Sequence, residues 1–435
     1  MNFVRDVVER APANSRALLE ISRSGSRNNW SFAQVSACSA GLAGTLQRHG
    51  VRRGEVVMTL IGNRPEWVFS MLACFRIGAV VLPCTEQLRA ADLRLRIDAV
   101  SPRAVIVDER NRSVLEAALG SDSQIAVLAI PDKRLYEAPA PQAVELAPED
   151  PCLITFTSGS SGEPKPVLHA QRYLSGQALQ AEHWLACNSG DLVWCTAASG
   201  WSKSARNVFI APWLRGASAL LHDQRFDPAE RLALLERERV NVLCMAPTEY
   251  RMIAKRTTLG RYEALRGLVA AGEALNPEVL DAWRSATGLE VRDGYGQTET
   301  GQMTGNLPGS PTRPGSMGRP LPGVKLWVSE GELVADPATV PTFFRGYLGE
   351  APRDRQSPWR TGDRVRQDAD GYLYFEGRAD DVIISAGYRI GPFEVESALL
   401  SHQAVADAAV VAAPDEERGS VVRAVIVLRD GFQGS

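Results

Sequence analysis

Short apolar runs bounded by turn residues recur along this chain, with helix-length amphipathic segments between them. That alternation is the pattern of strands buried on both faces and joined by crossover helices. Glu55–Ile61 reads as such a strand, Pro65–Ile77 as a helix, and Ala79–Pro83 and Ala104–Val107 as further strands. Upstream, Asn2–Arg10 and Ser31–His49 carry apolar residues at helical spacing, the second introduced by Ser31 as an N-cap. The Pro-rich and acidic stretch Ala138–Pro151 has little periodicity and reads as a linker. Beyond it Leu153–Thr157, Leu192–Thr196, Ala219–Leu221, Val242–Met245, Gly267–Ala270 and Leu289–Asp293 read as strands with helices between them. The expectation is an α/β fold with two doubly wound subdomains, about 1–150 and 151–306, each built on a mainly parallel sheet. Gly and Pro become dense from Pro308 to Pro322, and Val324–Phe375 reads as short strands joined by turns. A small β-barrel or twisted sheet is therefore expected over 307–376. A fresh pattern starts after Gly377 and breaks off at Ser435, as an incomplete small α+β domain over 377–435.

Composition excludes whole classes of function. Lys plus Arg number 48 against 51 Asp plus Glu, a formal net charge of −3, and 45 % of residues are apolar. This is the balance of an ordinary globular protein and not of a polybasic nucleic-acid or membrane-surface binder. The most hydrophobic stretch, Met71–Pro83, is interrupted by Arg76 and is too short to span a bilayer, and Met1–Arg10 is too charged for a signal peptide. The seven cysteines form no C-x-x-C pair and sit among apolar neighbours, reading as reduced, buried thiols in a cytoplasmic protein. Only five basic residues are lysines, at 133, 165, 203, 255 and 325, and none follows Lys325.

Three segments carry chemistry. Thr155-Phe-Thr-Ser-Gly-Ser-Ser-Gly-Glu-Pro-Lys165 follows an apolar strand directly. Its small hydroxyl residues and glycines let backbone N–H groups turn around an anion, and Lys165 adds a point charge. It lacks the Gly-Lys-Ser/Thr end of a Walker loop, and a plain Ser/Gly turn is the alternative reading. Asp293-Gly-Tyr-Gly-Gln-Thr-Glu299 fails as a dinucleotide fingerprint because Glu299 occupies the third glycine position. Gly294 and Gly296 instead permit close approach to a flat ring, while Thr298 and Glu299 offer a hydroxyl and a carboxylate suited to Mg²⁺ on a phosphate. In Trp359-Arg-Thr-Gly-Asp363, a turn aspartate is placed to accept ribose hydroxyls or simply to close the turn.

Taken in this order, the motifs resemble the adenylate-forming superfamily of acyl-CoA synthetases, luciferases and peptide-synthetase adenylation domains. Thr157–Lys165 looks like its phosphate loop, Tyr295–Glu299 like its adenine and magnesium motif, and Thr361–Asp363 like its ribose motif. Gly377–Asp381 through Gly387-Tyr-Arg389 looks like its hinge region. Ala271–Glu278 and Gly200–Ser204 look most like bacterial medium-chain acyl-CoA synthetases. The resemblance implies that residues 1–376 form the large adenylate-forming domain. It also implies ATP-dependent conversion of a medium-chain fatty or aromatic acid to an acyl-adenylate, with release of pyrophosphate, followed by thioester formation with CoA.

Carried over by motif, Thr157, Ser158, Gly159, Ser160, Ser161, Gly162 and Lys165 would hold the β- and γ-phosphates. Gly272, Glu273, Ala274, Asp293, Gly294, Tyr295 and Gly296 would line the adenine pocket. Thr298 would reach the α-phosphate, Glu299 would hold Mg²⁺, and these two with Lys165 form the catalytic set. Asp363 and Arg378 would bind the ribose, Asp380 would be the hinge, and Gly387 and Arg389 would meet CoA. Trp201, Ser202, Lys203 and His169 would border the acyl pocket, where the lack of an Asp between Thr196 and Phe209 argues against an amino acid substrate. The implied partners are the acid, ATP and CoA, with homodimerisation left open. Family members also carry a later Gly-Lys motif that this chain lacks. A fragment, a natural short form, and a pseudoenzyme that binds nucleotide without turnover are therefore all compatible readings. So is an adenylating enzyme that passes its product to a carrier protein.

Overall fold

The computed structural model describes the chain from Met1 to Phe432 except residues 121–123, 158–163, 273–274, 276, 380, 382, 386–387, 401, 403, 416–417 and 430, and it leaves out 433–435. Two seven-stranded sheets organise residues 1–347. In chain order their strands are β1 (Arg16–Ile21), β2 (Arg27–Ser31), β3 (Val56–Leu60), β4 (Val80–Cys84), β5 (Ala104–Asp108), β6 (Ala126–Ile130) and β7 (Pro151–Phe156), then β8 (Pro166–Ala170), β9 (Leu192–Cys195), β10 (Ser218–His222), β11 (Val242–Met245), β12 (Gly267–Ala271) and β13 (Val291–Gly294). One sheet runs β13-β12-β11-β9-β10-β1-β2, and the other runs from Gly346–Tyr347 through β8-β7-β4-β3-β5-β6.

Both sheets are parallel through their centres and antiparallel only at their margins, where β2 pairs with β1, and β8 with β7. The central strands are buried along nearly their whole length, which is why they read as unbroken apolar runs. The hairpin β1–β2 stands where helix was expected to follow helix. Its outer strand, Arg-Asn-Asn-Trp-Ser, is a polar edge with no apolar period to announce it.

The helices Phe32–Arg48 and Pro65–Ile77 match their expected positions. Ser31 accepts a bond from the Gln34 amide while the Gln34 side chain accepts from the Ser31 amide, a capping box. The second helix is apolar on nearly every face because it is enclosed. Its Trp67 and Phe69 join Trp184, Phe209 and Trp213 in an apolar cluster that contains residues of both sheets. The expected linker 138–151 is not a free tether: the Asn2 amide donates to the Val144 carbonyl at 3.0 Å, and the chain amine to Leu146 at 2.7 Å.

The carboxyl ends of the two sheets face one another across a polar seam. Arg110 reaches both Glu86, past β4, and Asp223, past β10, at 2.6 and 2.8 Å. Asn63 exchanges bonds with Ala197 and Ser199 at 3.0 and 2.7 Å.

Over 307–376, where a barrel or a twisted sheet was expected, the chain forms an open four-stranded antiparallel sheet of Leu326–Ser329, Glu332–Ala335, Trp359–Gln367 and Leu373–Arg378. After Gly377 come the short pair Ile383–Ser385 and Tyr388–Ile390, the helix Pro392–Leu400, and a long hairpin of Val405–Asp415 against Gly419–Leu428.

Candidate active site

The segment that reads as a phosphate loop joins β7 to β8, and its neck is closed by the Thr157 amide donating to the Lys165 carbonyl at 3.0 Å. Ser158, Gly159, Ser160, Ser161 and Gly162 lie outside the described residues. Lys165 places its Nζ 5.5 Å over the ring of Tyr347. The Tyr347 hydroxyl in turn donates to Glu299 Oε1 at 3.0 Å. No motif announced Tyr347, which reaches the site because Gly346–Tyr347 pairs with β8.

Thr298 and Glu299 sit at the tip of a minimal hairpin in which Gly296–Gln297 pairs with Gly301–Gln302. A Cβ on Gly296 would collide with the Gly301 carbonyl, so this position is confined to glycine. The Phe344 amide donates to the Glu299 carbonyl at 2.7 Å and fixes the tip. Burial pushes the Glu299 carboxyl above the usual carboxylate range, against the opposing bond from Tyr347. A cation beside it would restore the ionised form. Among the described residues no group of three or more acidic, His or Cys ligands gathers. One partly desolvated carboxylate of this kind fits a Mg²⁺ ion carried mainly by phosphate oxygens.

Asp363 is the point on which two of the sequence motifs converge. It lies on Trp359–Gln367, 4 % exposed and directly opposite Arg378 in the sheet register. That register brings Arg378 Nη1 to 3.0 Å from Asp363 Oδ1. The Tyr295 hydroxyl and Gln297 Nε2 both donate to Oδ2, the latter at 2.8 Å. Burial raises the Asp363 carboxyl above its ordinary value even though Tyr295 and Arg378 pull it down. Trp359 Nε1 donates to Gln297 Oε1 at 3.1 Å, completing the network. The roles of Gln297 and Trp359 were not assigned from the sequence, although both stand inside the motifs that carry Tyr295 and Asp363.

The remaining expected residues divide. Asp293 and Gly294 end β13, and the Asp293 carboxyl, 8 % exposed, is pushed up to about 8 by burial while accepting the Gly294 amide at 2.8 Å. Lys203 Nζ donates to the Ala271 carbonyl at 2.7 Å, beside Gly272, whose φ of +111° and lack of a Cβ leave room for the ammonium group. Ser202 is half-buried on the same turn, whereas Trp201 is 55 % exposed and forms no enclosed wall. His169 is fully buried, 3.3 Å from the Thr155 hydroxyl. Glu273, Ala274, Asp380 and Gly387 lie outside the described residues, and Arg389 is described only as part of a strand.

The loop after β7, Gly272 after β12 and Asp293–Gly294 at the end of β13 stand at the carboxyl ends of strands with parallel neighbours, where ligand sites form in open α/β sheets, while Asp363 and Arg378 come from the antiparallel sheet. A model of AMP-binding enzymes matches residues 4–344, and a model of their C-terminal domain matches residues 394–435. The chain belongs to the AMP-binding enzyme family. It is 36 % identical to the uncharacterised acyl-CoA ligase YtcI of Bacillus subtilis (strain 168), over 99 % of this chain and 86 % of the relative. With the human mitochondrial acyl-coenzyme A synthetase ACSM4 it shares 35 % identity, over 99 % of this chain and 82 % of that protein. Among solved structures, a Brucella canis acyl-CoA synthetase superposes with a TM-score of 0.81 at 30 % identity, covering 100 % of this chain and 85 % of the other. The anthranilate CoA ligase AuaEII, solved with anthranoyl-AMP, superposes at 0.89 with 27 % identity, covering 100 % and 88 %.

Proposed function

We propose that this family member is an AMP-forming acid:CoA ligase. The observation that carries the reading is the convergence of Tyr295, Gln297 and Arg378 on buried Asp363, beside the hairpin that presents Thr298 and Glu299. This joins the adenine-side and ribose-side motifs into one nucleotide site. In the first half-reaction the substrate carboxylate attacks the α-phosphorus of ATP, and the bond to pyrophosphate breaks. In the second, the CoA sulfur attacks the acyl carbon and AMP leaves. Neither half needs a protein nucleophile, so the work of the residues is positioning and charge stabilisation.

In this reading Asp363 accepts the ribose hydroxyls, with Arg378, Gln297 and Tyr295 holding its carboxylate in place. Asp293, Gly272 and Gly294 frame the adenine. Thr298 reaches the α-phosphate, and the loop from Thr157 to Lys165 takes the terminal phosphates. Glu299 would hold Mg²⁺, which supplies charge neutralisation on the phosphates. Tyr347 orients Glu299 and stacks under Lys165, so the loop and the hairpin act as one unit. The segment around Asp380 is the proposed hinge between residues 1–376 and 377–435, and Gly387 with Arg389 the proposed approach for CoA. The unpaired thiols support a reducing cytoplasmic setting, and among the described residues no helix is long and apolar enough to cross a membrane.

The test is pyrophosphate release by the purified chain with MgATP and a panel of aliphatic and aromatic acids, with and without CoA. Acid-dependent release that CoA stimulates supports the ligase. Release that CoA does not stimulate but a carrier protein with a free thiol does would move the acceptor to a protein, and ATP binding without release would leave a nucleotide-binding protein.

A further inference from the structure

Beneath the hairpin that presents Glu299 lies a group of enclosed polar side chains whose hydrogen-bonding capacity the fold leaves unused. His169 Nδ1, both amide atoms of Gln177, Gln180 Oε1, Arg206 Nε, Asn207 Nδ2 and Gln302 Oε1 are all buried and lack a partner among the described residues. They are contiguous. The His169 and Tyr173 rings lie 4.0 Å apart between centroids, and Gln180 donates to Asn207, the residue after Arg206, at 3.0 Å. Buried polar atoms are normally satisfied, so a cluster of orphans calls for an account.

Arg206 is the centre of that account. It is 3 % exposed, and among the described residues no carboxylate pairs with it. Burial, with Arg206 and Arg172 nearby, pushes His169 down to about 3, so the ring is neutral and the guanidinium supplies the charge of the cluster. A buried cation without a counter-ion is costly to the folded state and favours an anion that can reach it. Its Nη1 points to the turn beside Glu299, 3.5 Å from where a Cβ on Gly301 would stand. Arg206 therefore stands beside the hairpin whose tip presents Thr298 and Glu299, where the ligase reading holds the reacting carboxylate.

We propose that Arg206 selects acids bearing a second oxygen acceptor, above all a second carboxylate, and that the neighbouring amides complete its binding site. The inference rests on the ligase reading for the position of the reacting carboxylate. A planar guanidinium suits a carboxylate because it donates two parallel bonds to it.

The experiment compares matched acids, butanoate with butanedioate, hexanoate with hexanedioate and benzoate with isophthalate, in wild type, Arg206→Met and Arg206→Lys. Acid-dependent pyrophosphate release and the thermal midpoint with each acid are both read. In wild type at least one diacid is expected to exceed its monoacid in kcat/KM by about tenfold or more, the scale of one charge-assisted hydrogen bond. That ratio should collapse in Arg206→Met, with a thermal midpoint no lower than wild type because an unpaired buried charge is gone. In Arg206→Lys, the variant that decides the matter if the Met protein does not fold, the ratio should fall by about threefold or more as the fork geometry is lost. A wild-type preference for monoacids, or a ratio unchanged by either substitution, overturns the proposal. If no acid supports release, the ligase reading fails by itself. In that case a diacid that raises the wild-type midpoint but not that of the variants still upholds Arg206 as an anion site, and the absence of such a shift overturns it.

Discussion

Asp293 has its carboxyl raised to about 8 by burial, which turns a single side chain into a pH-dependent stability element. A carboxyl raised in the folded state stabilises the fold fully below its ordinary value near 3.8, and that stability is lost as pH climbs toward about 8. Asp293→Asn retains an oxygen for the Gly294 amide and cannot ionise. Its thermal midpoint is therefore expected to exceed that of wild type increasingly from pH 5 to 8, read by thermal unfolding across pH in the absence of nucleotide. At the neighbouring Glu299, Glu299→Gln should leave the fold intact and lower acid-dependent pyrophosphate release by about 10² to 10³, the typical loss for one charge-stabilising group. A near-normal rate in that variant would remove Glu299 from the mechanism. Both residues were legible from their motif, but the burial that gives Asp293 its raised carboxyl was not, because it comes from packing around the end of β13.

Two elements show where local signals suffice and where they do not. The helix Phe32–Arg48 was legible down to its cap, since Ser31 and Gln34 satisfy each other's amides within four residues of chain. Ser31→Ala is expected to cost about 1 kcal/mol, measured by urea unfolding. The hairpin Gly296–Gln302 was legible only as a Gly-rich turn. Its glycine requirement comes from the approach of Gly301 across the pair, so Gly296→Ala should pry the strands apart and displace Glu299. The expected outcome is loss of adenylation with only a small change in global unfolding, measured on the same preparation. The strand β2 escaped the periodicity argument because it is a polar sheet edge with one neighbour, and β8 because its five residues, between β7 and Gly346–Tyr347, are too short a run to show a period.

For the whole molecule, the decisive feature is that the two sheets present their carboxyl ends to a common seam. Arg110 ties that seam by bonding Glu86 from one sheet and Asp223 from the other. Removing it leaves Asp223, which is 7 % exposed, without its cation. A surface pair is worth about 0–1 kcal/mol and breaking a buried one costs about 3–5 kcal/mol. Arg110 is partly exposed, so Arg110→Met is expected to cost about 2 kcal/mol, with the effect read in denaturant unfolding. A loss confined to activity, with stability unchanged, would show that the seam orients the site without holding the sheets together.

The sequence alone determined the layered α/β architecture and the identity of the motif residues. Strands enclosed on both faces must be written as apolar runs, and loops that approach a nucleotide must be written in glycine, hydroxyl and acidic residues. Only the tertiary structure decided the contacts that make a site of them. Tyr295 and Asp363 stand 68 residues apart, and Arg378 meets Asp363 because two strands share one register. Arg206 is unremarkable in the sequence, one arginine among many. Its meaning comes from being enclosed with no counter-ion among the described residues, a property of the packed interior that no local pattern of residues encodes.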